Sequence, residues 1–355
     1  MEAFKPGLEG VIAVETQIAE PDRDGGALRY RGVDITELAG LVPFERVWGL
    51  LVDGTPGACL DECESMWIPD PTGRPLADLQ AATAALSGTW GLRPVLDLDH
   101  DGVRRDVERV SGAIIDAVAR IARGDAGAEG CGAHPGSMAD RFLAVWRGQV
   151  DPRESLALDT YWTCTAEHGL NASTFTARVV ASTGADCAAS LAAAIGALSG
   201  PLHGGAPARV LPMLDAAAAA PSIAEYVRAE LDRGERLMGF GHRVYRAEDP
   251  RARVLRETAR RIGAPRLAIA EALEEAALAE LRRRKPDRVL ATNVEYWSAV
   301  VLDAAGVPAD LAPALFACAR TAGWSAHILE QHAGGRLIRP AARYIGPAQV
   351  SLAAA

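Results

Sequence analysis

The sequence predicts a mainly α-helical fold, and two observations support this prediction. Several segments carry apolar residues at helical spacing between polar N-cap residues and glycine or proline stops. Alternating patterns typical of strands are confined to residues 11–30 and 288–290. Because strands and helices do not alternate along the chain, a doubly wound α/β sheet is excluded.

Helix boundaries are clearest in the second half of the chain, where three residues are good N-caps: Asn171, Asp186 and Asp249. Pro250 suits the first turn of the helix that Asp249 opens, and Gly263 ends that helix. Another helix ends in a basic run at 282–285, which complements the helix dipole and need not bind nucleic acid. The predicted helices span 171–184, 186–200, 249–263, 266–285 and 311–332, the last closed by Gly334 and Gly335.

Composition limits the class of protein. The chain has 355 residues and a net charge of −9, with 49% hydrophobic and 23% charged residues, which suits a folded protein of about two domains. An acidic chain offers no electrostatic footprint for nucleic acid or an anionic membrane. The longest apolar stretch, 188–198, is too short to span a bilayer, and the N-terminus shows no secretory signal. Together with six scattered cysteines, these features predict a cytoplasmic protein with reduced thiols.

Two histidines stand at predicted helix boundaries. His168 precedes the helix that Asn171 opens, and taken alone it is more typical of a cap or a satisfied core histidine. His203 is followed by Gly204 and Gly205, which let a ligand approach the backbone closely. A helix start near Pro207 would keep His203 neutral, and a neutral imidazole can donate a hydrogen bond to a developing enolate. An incidental histidine in a glycine-rich turn is an equally good interpretation.

Charged residues concentrate at three further places. His242 lies close to Arg246 and Arg251 at a helix start, a grouping that suits phosphates and carboxylates. Glu295 stands among apolar residues, where burial would raise its pKa toward that of a useful base; the alternative is a surface glutamate. Arg320 lies on the last long helix.

The spacing of the histidines in the last long helix argues against a metal site. The histidines of the last long helix, His327 and His332, are five residues apart and cannot share one helical face as a zinc pair would.

Taken together, the segments that carry these residues resemble a known family, the citrate synthases. The similarity lies in the order and spacing of EHGLNASTFTAR, GPLHGGAPARV, GFGHRVYRAEDPRAR, NVEYW, ACARTAGWSAHILEQ and LIRP. The N-terminal GLEGVIAVETQI and GGALRYRGVDI also look like the opening of that family, so the resemblance spans nearly the whole chain.

The resemblance implies an all-α homodimer with two domains per subunit, a large domain at 1–205 and 309–355 and a smaller mobile domain at 206–308. It also implies a cytoplasmic transferase of the tricarboxylic acid cycle. This enzyme would condense acetyl-CoA with oxaloacetate and hydrolyse the citryl thioester, without a metal or redox cofactor.

Roles for individual residues follow from the same resemblance. His203 would stabilise the enol of the acetyl thioester, and His242 would polarise the ketone of oxaloacetate. The oxaloacetate ligands would be His168, Arg251 and Arg320, with Arg339 contributed by the other subunit, and Arg246 would lie near the CoA phosphates. Arginine suits these carboxylates because its planar fork binds them at two points.

Glu295 departs from the family pattern, in which the catalytic base is usually an aspartate. The additional methylene requires a pocket built for the longer side chain, since a displacement near 1 Å can cost about 10²-fold in rate. Two alternatives to citrate synthesis therefore remain open. One is a 2-methylcitrate synthase that uses propionyl-CoA, and the other is a catalytically silent protein that binds CoA or a dicarboxylate.

Overall fold

The computed structural model describes residues 4–22, 24, 26–125, 127–203, 209–241, 245, 248–288 and 290–347. Within these ranges the chain forms thirteen α-helices and one small sheet, which confirms the predicted helical class. The helices are α1 (Phe44–Asp53), α2 (Pro75–Thr89), α3 (His100–Arg123), α4 (Met138–Arg147), α5 (Pro152–Thr165), α6 (Ala172–Ser182), α7 (Cys187–Leu198), α8 (Val210–Ala219), α9 (Ile223–Asp232), α10 (Pro250–Ile262), α11 (Leu267–Arg284), α12 (Val294–Ala304) and α13 (Ala312–Gly334).

The three predicted N-caps are confirmed by their hydrogen bonds. The side chain of Asn171 accepts from the backbone N–H of Thr174, and Asp186 opens α7 in the same way. Asp249 caps α10, and Gly263 ends that helix at a φ of +66°, a left-handed value that favours glycine. Each predicted helix start therefore falls within one residue of the observed one.

The sheet lies partly where a strand pattern is present in the sequence. Strands β1 (Ala19–Asp22), β2 (Ala27–Tyr30) and β3 (Val33–Asp34) form an antiparallel sheet in the order β1-β2-β3, with Ala19 opposite Tyr30. Strand β3 lies beyond the predicted segment. The sheet buries Tyr30 completely and so delivers its side chain to the interior.

The second predicted strand, 288–290, is wrong in position. Arg288 and Leu290 lie outside any strand, and Val289 falls outside the described residues. The extended contact forms further along, as an isolated bridge between Phe240 and Thr292. Gly239 makes this possible, because its φ is +85° and a Cβ there would meet the backbone and side chain of Tyr296.

Helix α13 is the central element of the fold. Nearly every residue of this helix is buried, and it packs against α1, α3, α5, α6 and α7. A second group of helices consists of α8, α9 and α11, with α12 lying against α8, while α10 and α12 both pack on α5. Among the described helices, none combines the length and apolar character needed to cross a membrane.

Candidate active site

The segment between α5 and α6 is clamped onto α13 by backbone interactions. Arg320 Nε donates to the carbonyl oxygen of Thr165 at 2.6 Å, and Gly323 N donates to the carbonyl oxygen of Ala166 at 3.2 Å. These two bonds fix the chain immediately before His168 against the helix that carries Arg320. The predicted ligands His168 and Arg320 are therefore held on one structural unit.

Arg320 is almost completely buried, with 3% of its surface exposed. Its guanidinium carbon lies 4.8 Å from the centre of the Phe316 ring, a favourable cation–π distance. Within the described part of the chain, its Nη1 has no hydrogen-bond partner. Burial lowers the pKa of Arg320, while the negative charge of Glu167 opposes this shift. A buried guanidinium with a spare donor is suited to an anionic ligand.

Arg251 is held by its own N-cap residue. Asp249 receives hydrogen bonds from Arg251 Nε at 3.0 Å and from Nη2 at 2.9 Å, and it also caps the backbone N–H of Arg251. The second carboxylate oxygen of Asp249 accepts from Val294 N at 3.0 Å. A single buried aspartate thus joins the N-termini of α10 and α12 and orients an arginine.

Glu295 lies in the first turn of α12, directly after the residue that Asp249 binds. It is half-buried, and burial is the largest cause that raises its pKa above the ordinary glutamate value. Arg251 lowers this pKa and Asp249 raises it, so the carboxyl group senses both members of the adjacent ion pair. The predicted direction of the pKa shift is confirmed, and the surface alternative does not describe this residue.

His203 is fixed by a hydroxyl group. Its Nε2 lies 2.8 Å from Ser173 Oγ, which accepts from Trp324 Nε1 at 3.2 Å and donates to Asn171 Oδ1 at 2.9 Å. Burial lowers the pKa of His203 to about 4, with a further contribution from Arg320. The predicted neutral imidazole therefore agrees with the pKa, although its main cause is burial rather than a helix dipole.

His168 and Tyr245 contact each other in this region. His168 Nε2 lies 3.0 Å from Tyr245 Oη, and the two rings meet nearly edge to face. Tyr30 Oη donates to the carbonyl oxygen of Thr163 in the last turn of α5 or to that of Glu167 just after it, each at 3.0 Å. The charge of Arg251 lowers the pKa of both tyrosines against the larger effect of burial, so both phenols lie within its electrostatic reach.

These shared neighbours bring together five predicted residues from distant parts of the sequence: His168, His203, Arg251, Glu295 and Arg320. Two others, His242 and Arg246, lie outside the described residues. Arg339 is exposed in the extended segment that follows α13, which is tied to α6 by a bond from Ile338 N to Ser182 Oγ.

Sequence reasoning missed several residues that position this region: Tyr30, Ser173, Tyr245 and Trp324. All four stand within the motifs that carried the resemblance. A hydroxyl or indole in a motif gives no sign of its partner, because each of these contacts crosses between distant segments.

The cysteines are scattered in sequence, but two of them meet in space. All six are free, and Cys63, Cys131 and Asp116 place potential ligand atoms within 4.8 Å of one another. Asp116 is already occupied, since it accepts from Cys131 N at 2.7 Å and from Arg120 Nε at 2.8 Å. The cluster therefore serves as a buried polar junction between α3 and the loop that follows it.

Comparison with known proteins places this geometry in a family. The family model described as "Citrate synthase, C-terminal domain" matches residues 7–341. A Mycobacterium tuberculosis protein, provisionally named citrate synthase 2, is 57% identical over 98% of this chain and 94% of its own length. The citrate synthase of Haloferax volcanii is 36% identical over 97% of this chain and 96% of its own length.

A solved structure shows the same architecture. The citrate synthase of Thermoplasma acidophilum, solved as a ternary complex with carboxymethyl coenzyme A and oxaloacetate, is 27% identical and aligns with a TM-score of 0.83. The alignment covers 100% of both chains.

Proposed function

The chain belongs to the citrate synthase family, and on this premise we propose that it condenses acetyl-CoA with oxaloacetate to give citrate and free CoA. One observation carries the proposal. A half-buried carboxyl group with a raised pKa, a neutral imidazole and two buried guanidinium groups converge from separate segments of the chain. The ternary complex of the Thermoplasma relative supports the choice of substrates.

Enolisation of the thioester is the first step. Glu295 removes a proton from the acetyl methyl group, and His203 donates a hydrogen bond to the carbonyl oxygen as negative charge develops there. Ser173 Oγ donates its single hydrogen to Asn171 Oδ1 and accepts from Trp324 Nε1, so in its contact with His203 Nε2 the imidazole is the donor. The proton of the neutral imidazole is therefore on Nε2, and this N–H is the donor that His203 offers to the thioester oxygen.

Carbon–carbon bond formation requires a polarised ketone. His242 hydrogen-bonds the ketone oxygen of oxaloacetate, while His168, Arg251 and Arg320 hold its carboxylates. The enol carbon attacks the ketone carbon, and the ketone oxygen takes up a proton. Water then hydrolyses the citryl thioester and releases CoA as a free thiol. No metal or redox cofactor takes part in these steps.

Domain closure protects the thioester until the new bond exists. The chain divides into a large domain, 1–205 with 309–355, and a mobile domain, 206–308. This division fits the packing of α8, α9 and α11 as a separate group. Substrate binds at the boundary between the two domains, where residues of both domains contact it. Arg246 of the mobile domain is the residue we assign to the CoA phosphates.

The active protein is a homodimer, with Arg339 reaching the site of the partner subunit. Two segments support this assembly, because they expose large apolar side chains before β1 and after α13: Phe4, Ile12, Leu337, Tyr344 and Ile345. Large apolar side chains exposed in two segments of one chain are what a partner subunit would cover. We place the enzyme in the cytoplasm and in the tricarboxylic acid cycle.

The test is the release of free thiol from acetyl-CoA, followed with a thiol reagent in the presence and absence of oxaloacetate. Replacement of Glu295 by Gln is expected to lower kcat by about 10²–10⁴-fold, since it removes a general base. The matched control is Glu257→Gln, which changes an exposed glutamate that bonds only Arg260 among the described residues. Equal rates for the two variants would refute the proposed role of Glu295.

Propionyl-CoA is measured in parallel, since its additional methylene is worth only about 1–3 kcal/mol of discrimination in an apolar pocket. A higher kcat/KM for propionyl-CoA would make the enzyme a 2-methylcitrate synthase. Binding of oxaloacetate without thiol release from either donor would show a binding protein instead.

A further inference from the structure

Glu167 is a buried carboxylate that the proposed reaction does not use. It is completely buried, and among the described residues neither of its oxygens has a hydrogen-bond partner. A buried carboxylate without hydrogen bonds costs several kcal/mol unless another charge compensates it. The question is which group supplies the compensation.

The backbone clamp already described places Glu167 against α13. Thr165 and Ala166 bond to Arg320 and Gly323, and the next residue in the chain is Glu167. The absence of a side chain at Gly323 leaves the space that the carboxylate fills, because a Cβ there would collide with Glu167 Oε2 and lie 2.7 Å from Ala166 O.

His327, one turn further along the same helix, is the first candidate for the compensating charge. Its Nε2 lies 3.4 Å from Glu167 Oε1. Its Nδ1 lies 2.8 Å from Arg178 Nη1, and a guanidinium nitrogen can only donate. Nδ1 is therefore the acceptor in this contact, and the single ring proton is on Nε2. His327 is neutral in this arrangement, so it presents an N–H toward Glu167 but no positive charge.

Arg320 is the remaining candidate, and the charge balance supports it. Arg251 is paired with Asp249 at 2.9 Å, and Arg178 is paired with Glu330 at 2.6 Å. The attraction of Glu167 is the main influence that keeps the pKa of Arg320 from falling further. Glu167 and Arg320 thus form a buried charge pair that is held apart by the clamp rather than joined by a hydrogen bond.

We propose that Glu167 is a positioning residue that sets the anion affinity of Arg320. Its negative charge partly cancels the field of the guanidinium, while Nη1 of Arg320, which makes no hydrogen bond to Glu167, stays available to a ligand. This inference rests on the proposed function, because it assumes that the anion at Arg320 is a carboxylate of oxaloacetate. It predicts that the loss of one charge changes substrate affinity and folding stability in opposite directions. Removal of the charge of Glu167 strengthens substrate binding while it weakens the fold.

The variant Glu167→Gln keeps the size of the side chain and removes its charge. The change removes a negative charge that repels the bound anion across a poorly screened interior, so we expect oxaloacetate to bind roughly tenfold more tightly. The melting temperature of the unliganded variant falls, because the buried Arg320 has lost its compensating charge. A residue with a merely structural role would weaken binding, not strengthen it.

The experiment is isothermal titration calorimetry of the full-length protein with oxaloacetate, in the absence of acyl-CoA. The wild type, Glu167→Gln and Glu167→Asp are compared, with Glu257→Gln as the control on an exposed glutamate. Wild-type affinity in Glu167→Asp together with tighter binding in Glu167→Gln supports the inference. Unchanged or weaker binding in Glu167→Gln overturns it. Failure of the wild type to bind oxaloacetate at all refutes the proposed function rather than the charge pair.

A double-mutant cycle tests the pair by stability alone, and it remains informative if Glu167→Gln folds poorly. Glu167→Gln and Arg320→Gln each strand one buried charge, so each is expected to lower the melting temperature. The double variant removes both charges and should regain part of the loss. Additive losses in the double variant would show that the two residues do not compensate each other.

Discussion

Asp249 is the residue whose replacement best tests the architecture of the site. The change Asp249→Asn preserves the cap, because asparagine caps a helix about as well as aspartate. It removes the negative charge that holds Arg251 through two side-chain bonds, and it weakens the link to Val294 at the start of α12. The loss therefore falls on the ion pair and on the connection between the two helices.

The magnitude follows from burial. Asp249 and Arg251 are 1% and 3% exposed, so solvent screens their interaction very little. Removal of one partner from a buried pair typically costs about 3–5 kcal/mol, since the other charge is left uncompensated. The matched control is Asp186→Asn, which changes the N-cap of α7, a half-buried aspartate bonded to Ala189 N and Ser87 Oγ. That control should cost about 1 kcal/mol or less.

The assay is urea unfolding of both variants at pH 7, combined with steady-state kinetics for oxaloacetate. We expect Asp249→Asn to unfold at a clearly lower urea concentration and to show a raised KM, because Arg251 is no longer held toward the carboxylate. A loss of stability no greater than that of Asp186→Asn would refute the account of Asp249 as the residue that joins α10, α12 and Arg251.

Four other predictions concern pH, side-chain length and packing. His203 has a folded-state pKa near 4, below the ordinary value of about 6.5. The contribution of neutral His203 to folding stability is therefore complete above pH 6.5 and is lost as the pH falls toward 4. NMR titration of the imidazole and unfolding measured across this pH range would show both effects. Glu295 has a raised pKa, so kcat should still increase with pH above the range in which an ordinary glutamate ionises. Protonated Glu295 stabilises the fold at low pH, and this stabilisation should be lost as the pH rises through the raised pKa. Glu295→Asp should lower kcat by about 10²-fold, since the shorter side chain displaces the carboxyl group by about 1 Å from the proton that it removes. Gly323→Ala should lower stability by about 1–3 kcal/mol because its Cβ meets Glu167, whereas Gly334→Ala in the same helix finds open space and should be neutral or stabilising in thermal unfolding.

The helical elements could be predicted because their signals are local. Asn171, Asp186 and Asp249 act on backbone groups two or three residues away, so a single sequence reveals their effect. The predicted strand at 288–290 was wrong because the observed bridge depends on a distant partner, Phe240, and on the glycines beside it. Local β-propensity does not encode such a partner.

The site was predictable as a set of residues but not as a set of contacts. Arginines and histidines at helix boundaries indicate an anion site, and the family resemblance suggested a role for each of them. The sequence does not indicate that Ser173 orients His203, or that Tyr245 contacts His168, because 30 and 77 residues separate the partners. The cause of the neutral state of His203 was also missed, since burial is a property of the folded chain.

A chain with a net charge of −9 must bind a dianion against its own field, and the structure shows how the charges are arranged for this. Each buried arginine of the site is matched with an acid from a neighbouring segment, Asp249 for Arg251 and Glu167 for Arg320. The first acid bonds its arginine directly and fixes its direction. The second is kept out of hydrogen-bonding contact, which leaves a donor of Arg320 free. These four described side chains therefore cancel in charge before substrate arrives, so the fold does not carry two uncompensated buried guanidinium groups. The attraction for oxaloacetate then depends on where the donors point more than on the total positive charge.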